Sequence, residues 1–247
     1  MKRLNILLAI LGLFAASVAH ADETISLKAG YMSLTPSGNF SANLGALGAT
    51  QVDVKNDLAM KKSNNVMAEA QLSLGDSVLS VGYLPIKFEG SNTLTRNVTF
   101  QGVTYPATTT VNSKLDAKIY DVGYTYYLVN MDDLPSRFQF GVEVAVKGIS
   151  AEAAINNNTA SASAYIPTIG LRARVALADF IGVLGRVGYI GYAGNRFMDM
   201  DAQVEFSPLP AIGIFAGYRQ LDLKVDTNSV VVDTKFAGPY GGALVRF

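Results

Sequence analysis

From Arg137 to Lys147 the chain alternates. Phe138, Phe140, Val142, Val144 and Val146 fall between Gln139, Gly141, Glu143, Ala145 and Lys147. Successive side chains of an extended strand point to opposite faces, so a period of two sorts these residues into a greasy face and a polar one. A helix would mix them. Tyr165 to Leu177 repeats the arrangement, with Tyr165, Pro167, Ile169, Leu171, Ala173, Val175 and Leu177 against Ile166, Thr168, Gly170, Arg172, Arg174 and Ala176. Ile25–Ser33, Val66–Leu74 and Met198–Phe206 follow the same rule, and further candidates are 78–88, 114–129, 180–193, 211–225 and 230–247. The stretch 78–88 fits least, because both of its faces are apolar. The chain therefore reads as all-β with about ten strands, or eight if the pair around 180–207 or the final pair is not formed.

Composition decides where the apolar faces go. Hydrophobic residues make up 49% of the chain and charged residues only 16%, yet after residue 21 there is no run of eighteen apolar residues. Helical membrane spans are excluded by length. A sheet with one face in lipid can hide this much apolar surface. Soluble sandwiches and lipocalin-like barrels also alternate, but with the apolar face inward. Three features favour the inverted arrangement. The polar faces mix Gly, Ser and Thr with single charges of both signs, as a crowded interior would. Aromatic residues gather at strand ends on the turn side, at Tyr126, Tyr127, Phe138, Phe180, Phe206 and Phe247, as at a membrane interface. The last strand ends at Phe247, with Val245 and Ala243 on the same face. In hydrocarbon every backbone group must be paired, so the sheet must close. The expected fold is a closed antiparallel transmembrane β-barrel.

The connections alternate in length. Gly75-Asp76-Ser77, Asn130 to Ser136, Ala178-Asp179 and Ser207 to Pro210 are short. Between them lie longer polar segments at 36–63, 90–113 and 151–162, followed by brief ones at 194–196 and 226–229. Short turns belong to the periplasmic side and long loops to the outer side.

At the N-terminus, Lys2 and Arg3 precede an apolar run from Leu4 to Val18, and Ala19-His20-Ala21 is a small-x-small cleavage signal. Residues 1–21 thus read as a signal peptide, and residues 22–247 as one barrel. The chain has no Cys, and its only His is His20. Disulfides and thiolate metal sites are excluded, and no imidazole follows the leader. Net charge is zero, which gives no general attraction to nucleic acid. No cofactor and no metal are expected.

The signal peptide, alternating strands and terminal aromatic resemble the outer-membrane barrels of Gram-negative bacteria. The ending Gly238-Pro239-Tyr240-Gly241-Gly242-Ala243-Leu244-Val245-Arg246-Phe247 is similar to a proteobacterial family of predicted barrels with a Gly-Gly pair near the C-terminus. That resemblance implies fold and outer-membrane location, and no substrate. It also implies that Phe247 is read by the barrel-insertion machinery, beside a plainer role as an interface anchor.

The facing rule places Lys28, Lys147, Arg172, Arg174, Arg186 and Arg219 in the lumen with Glu69, Asp121, Glu143, Asp201 and Glu205. Buried charges are tolerable only when paired or wet. Two readings follow: a structural lattice of ion pairs, or a water-filled constriction, with Arg172 and Arg174 lining it. Asp199 and Asp201 share a face, and could hold a cation or join interior pairs. Asp132-Asp133, beside Pro135, reads as a solvated turn. The series Gly182, Gly185, Gly188, Gly191 and Gly194 lacks the Lys-Ser or Lys-Thr of a phosphate loop, so these are strand glycines. Lys55, Lys61 and Lys62 could touch lipopolysaccharide phosphates, although Asp53 and Asp57 interleave as on a solvated face.

Outer-membrane lipases, acyltransferases, deacylases and omptin-like proteases resemble one another in needing a catalytic His, so the chain is not expected to be an enzyme. The expected partners are outer-membrane lipids and lipopolysaccharide. The expected role is a narrow passive channel for small solutes or a structural envelope protein. The alternative is adhesin-like or receptor-like surface recognition through the loops at 36–63 and 90–113. Oligomeric state is left open.

Overall fold

The computed structural model describes residues 24–42, 50–131, 137–209, 211–226 and 230–247. The expected leader at 1–21 and the expected Asp132-Asp133 turn lie outside the described residues. Along the chain, β1 (Ile25–Ala42), the two-residue β2 (Val52–Asp53), β3 (Ser63–Leu74) and β4 (Ser77–Thr93) come first. A small hairpin of β5 (Val98–Phe100) and β6 (Val103–Tyr105) follows. Then come β7 (Thr110–Met131), β8 (Arg137–Ile155), β9 (Asn158–Ala178) and β10 (Ile181–Tyr192). The chain ends with β11 (Asn195–Leu209), β12 (Ile212–Asp226) and β13 (Val230–Arg246).

All strands but β2, β5 and β6 form one antiparallel up-and-down barrel of ten strands, as the alternation predicts. The barrel closes where β13 pairs with β1, from Ser26 opposite Arg246 to Ala42 opposite Val230. The chain ends tie the seam. The amides of Thr24 and Ile25 donate to the Phe247 carbonyl at 2.8 and 3.1 Å, and the Phe247 amide donates to Ile25 O at 2.9 Å. Closure removes the unpaired edge that hydrocarbon would not tolerate. Gly30 and Gly242 face each other across this seam. A Cβ on either would collide with a carbonyl oxygen of the opposite strand, that of Gly241 or Ala29.

The strands are longer than an apolar band requires. β7 has 22 residues, and at about 3.3 Å per residue it measures roughly 70 Å. Even tilted by about 40° it rises far above a lipid-facing band ~25 Å tall. The expected outer loop at 151–162 is accordingly corrected. Strands β8 and β9 continue through it and meet at a two-residue turn, Asn156-Asn157, with Asn156 at a φ of 51°. Asn tolerates that left-handed conformation better than most residues. The expected loops at 36–63 and 90–113 are shortened in the same way, since β1 runs to Ala42 and β4 to Thr93.

Facing inverts partway up the long strands β1, β4, β7 and β8. On the turn side the aliphatic residues point out, with Leu27, Val66, Val81, Val122, Val144 and Ile169 all exposed. A row of outward tyrosines ends this band: Tyr31, Tyr83, Tyr120, Tyr165, Tyr189 and Tyr218. Tyr83 lies opposite Tyr120, which lies opposite Gly148, which lies opposite Tyr165. The Tyr165 ring covers Gly148. Near the turns, Tyr126, Phe138, Phe180 and Phe206 are exposed in a second row. Tyr127, also expected there, is buried instead. It is the next residue after the outward Tyr126, so the pleat turns it inside.

Above the tyrosines the outward residues become Ser33, Lys87, Glu89, Asp116, Lys118, Ser150 and Glu152. The inward residues become Met32, Leu34, Leu84, Ile86, Phe88, Ile119 and Val111. The stretch 78–88 has two apolar faces because it crosses this boundary, with Leu79, Val81 and Tyr83 exposed and Leu84, Ile86 and Phe88 buried.

Candidate functional site: the barrel interior

The lower interior is built from single charges projected by different strands. Lys28 comes from β1, Glu69 from β3, Asp121 from β7, Glu143 and Lys147 from β8, and Arg172 and Arg174 from β9. Arg186 comes from β10, Asp201 and Glu205 from β11, and Arg219 from β12. Every one of them points inward, and the barrel gathers them into two ion-pair clusters, a smaller one around Glu205 near the turns and a larger one above it.

Asp199 is the hub of the larger cluster. The carboxylate is 1% exposed and accepts from Arg219 Nε and Nη2 at 2.9 and 2.8 Å. Lys147 Nζ lies 2.8 Å away and Arg186 Nη2 3.4 Å away. Asp121 Oδ2 shares the same cations, at 2.5 Å from Lys147 and 3.2 Å from Arg186. Glu143 stands 3.6 Å from Arg172 and 3.8 Å from Arg186, and accepts from Thr125 Oγ1 at 3.2 Å. Nearer the turns, Glu205 binds Lys28 at 2.8 Å, Arg174 at 3.5 Å and Arg246. Gln203 Nε2 donates to Glu205 at 2.7 Å, and Tyr240 donates its hydroxyl to Asp201 at 2.7 Å. Gly217 makes room for that tyrosine, since a Cβ there would lie 2.6 Å from its hydroxyl. Glu69 completes the set with Lys28 at 3.9 Å and a hydrogen bond from Gln71.

Such a lattice is held together by mutual need. Each ion lost its water on burial, and removing one partner strands another charge at a cost of about 3–5 kcal/mol. The Asp199 oxygens are occupied by side-chain cations, so the arrangement is interior pairing and not a cation site. Two buried atoms, Asp121 Oδ1 and Arg172 Nη1, have no hydrogen-bond partner. Among the described residues no group of His, Cys, Asp or Glu is arranged to hold a metal ion.

The upper interior is the opposite material. Met32, Leu34, Ile86, Phe88, Val111, Ile119 and Leu221 form a buried apolar cluster. The outer connections fold into it, with Val52, Val54, Leu58 and Met60 from one, and Leu94, Val98, Phe100 and Tyr105 from the other. Phe88 stacks on Phe236 at 5.6 Å, and Phe40 meets Phe100 edge-on at 6.0 Å. Polar clamps hold the two connections together. Arg96 pairs with Asp57 at 2.5 Å, and Asn92 Nδ2 donates to the carbonyls of Asn56 and Asp57 at 2.9 and 3.1 Å. Tyr105 donates to Ile155 O at 3.0 Å. Lys55, Lys61 and Lys62 stay exposed on the first connection.

Sequence reasoning left Arg246, Gln203 and Tyr240 out of the lumen set, and read Asp199 only as a cation ligand or an interior partner beside Asp201. The signal for Asp199 and Arg246 was present, because Asp199 shares the parity of Asp201, and Arg246 opposes the outward Val245. The apolar plug had no such signal, because its loop residues obey no period. Outside the wall, a shallow groove of about 490 Å³ lies against Leu171, Ala173, Gly185, Val187, Met200, Ala202 and Tyr218, where small residues dent the lipid face.

No protein-family model and no curated protein matches the sequence. Solved structures do resemble the fold. The outer-membrane protease OmpT from Escherichia coli aligns with a TM-score of 0.58 at 10% identity, over 94% of this chain and 99% of that one. Neisserial surface protein A aligns with a TM-score of 0.42 at 12% identity, over 90% and 97%. Ail of Yersinia pestis aligns at 0.35 and 11% identity, over 92% and 100%. The last two likenesses are too loose to argue from, and the first speaks to fold alone. Together with the closed sheet, the outward apolar band and its two aromatic rows, that fold identifies the chain as a ten-stranded β-barrel of the bacterial outer membrane.

Proposed function

We propose that this barrel is sealed, and that it acts as a rigid surface element of the envelope which recognises partners on its outer side. The observation that carries this reading is the doubly filled interior, with paired charges in the membrane half and an apolar core above them. Lys147 and Asp199 are each 1% exposed, and Phe88 and Phe100 likewise. A conducting path would have to open both layers. Arg174 retains 33% side-chain exposure, yet it lies against Glu205, and Arg172 is nearly fully covered beside Glu143. The ion-pair lattice is thus favoured over the water-filled constriction.

Catalysis is not part of the proposal, because the one histidine lies in the expected leader. Phe247 serves as the terminal signal for the insertion machinery, and the Gly241-Gly242 pair at the closing seam supports kinship with the Gly-Gly barrel family. Lipids and lipopolysaccharide surround the outward band. Purified protein in a planar bilayer tests the central point. Sealed barrels give no discrete current steps. Reproducible steps whose reversal potential moves when Arg174→Ala is introduced would overturn the reading.

A further inference from the structure

The wall of the barrel is incomplete beside β9. Strand β9 pairs with β8 along almost its whole length, from Asn158 opposite Ile155 to Ala176 opposite Arg137. On its other side β10 pairs only from Ala178 to Ile169, where the last partner is Tyr189. Pro167, which has no N–H, lies two residues beyond Ile169. From Asn158 to Thr168, and among the described residues, β9 has no ladder partner on this side. Every second residue of an antiparallel strand directs its N–H and C=O to one flank, so this flank carries a row of unpaired ladder groups.

Natural sheets guard such edges with charges, bulges or covering segments. Here no charged residue occurs from Ala153 to Leu171, and the open stretch reads Thr159-Ala160-Ser161-Ala162-Ser163-Ala164. Ser161 to Tyr165 are exposed on both faces. The segment lies beyond the outward Tyr165, on the aqueous outer side.

We propose that this edge of β9 is a docking site for an extended segment of another polypeptide, which adds to the sheet as an extra strand. The proposal rests on the surface-recognition reading and names its site. The partner segment is uncharged, about 5–6 residues long like an ordinary strand. Its alternate side chains are small or apolar over Ala162 and Ala164, and hydroxylic beside Ser161 and Ser163. Main-chain bonds supply the affinity in such strand addition, and the alternating side chains supply the selectivity. A second copy of this chain is a poor occupant. Two barrels in one membrane are related by an axis along its normal, so strands tilted by about 40° would cross at about 80° and could not form a ladder.

The test uses the full folded barrel in lipid nanodiscs and a labelled peptide of alternating threonine and valine. Amide hydrogen exchange at 158–166 is followed with and without peptide, and affinity is read by fluorescence anisotropy. The expected result is fast exchange at alternate amides of this stretch in the free barrel, slowed on saturable peptide binding. Lysines placed on the edge by Ser161→Lys with Ser163→Lys weaken binding by about tenfold or more. The control Ser33→Lys, outward on β1 and away from β9, leaves it unchanged. Absence of slowing would overturn the proposal. So would slow exchange in the free barrel, which would mean the chain covers its own edge, or protection that grows with barrel concentration, which would mean a second copy covers it. A conducting barrel that still binds the peptide would defeat sealing alone, and a sealed barrel that ignores it would defeat the edge alone.

Discussion

The membrane half and the outer half of this barrel share strands with the same two-residue period, and along β1, β4, β7 and β8 the two halves are chemically inside out relative to each other. Along β1, Leu27 and Tyr31 face lipid while Lys28 is buried; further on, Met32 and Leu34 are buried while Ser33 and Thr35 face out. No change in side-chain direction is needed. Only the surroundings change, from acyl chains to water, and the apolar side of the alternation changes with them. A strand's periodicity therefore says that it has two faces, whereas the medium decides which face can be greasy.

The largest expected effect breaks the lower half alone. Asp199→Ala leaves the three cations Lys147, Arg186 and Arg219 to share Asp121, with Glu143 beside Arg186 alone, and should destabilise the folded barrel by about 3–5 kcal/mol, measured as the shift in urea unfolding in vesicles. A loss below ~1 kcal/mol would mean that the lattice is hydrated, and the contrast between the halves weaker than drawn. Next, Ile86→Ala cuts into the upper core, where deletion of a fully buried aliphatic costs about 3 kcal/mol. The outward Val144, truncated to Ala as a control, touches lipid and should cost clearly less.

The sharpest comparison uses one strand and one face. Val144→Arg and Ser150→Arg both place a guanidinium on the outside of β8, below and above the tyrosine row. The first should cost about 2–4 kcal/mol because the charge enters hydrocarbon, and the second within about 0.5 kcal/mol. Equal costs would place the membrane boundary elsewhere.

The smallest effect concerns Lys114 on the outer wall. A hydrogen bond with Asp116 at 2.7 Å, then the attraction of that carboxylate, raises the lysine above its ordinary range. With a raised folded value, any stabilisation is complete below the unfolded lysine pKa and fades only as pH climbs through the folded one. The pair is partly exposed and screened by water. Lys114→Ala should leave the unfolding midpoint unmoved from pH 6 to 9, and a pH-dependent shift in that window would show a coupling the geometry does not contain.

What could be read from residues alone was whatever depends on parity. The ten strands, the outward Val142-Val144-Val146 series and the inward Glu143 and Lys147 all follow from the period of two, which is local. Even the poor fit of 78–88 was a true signal of the boundary between media. Four things required the closed sheet: Asp199 as hub, the pairing of Glu205 with Lys28 and Arg246, the folding of Val52 to Met60 into the mouth, and the bare flank of β9. Each depends on how the closed sheet sets strand register, strand ends and the packing of the connections. Parity tells a side chain which way to point, and only the ladder tells it whom it meets.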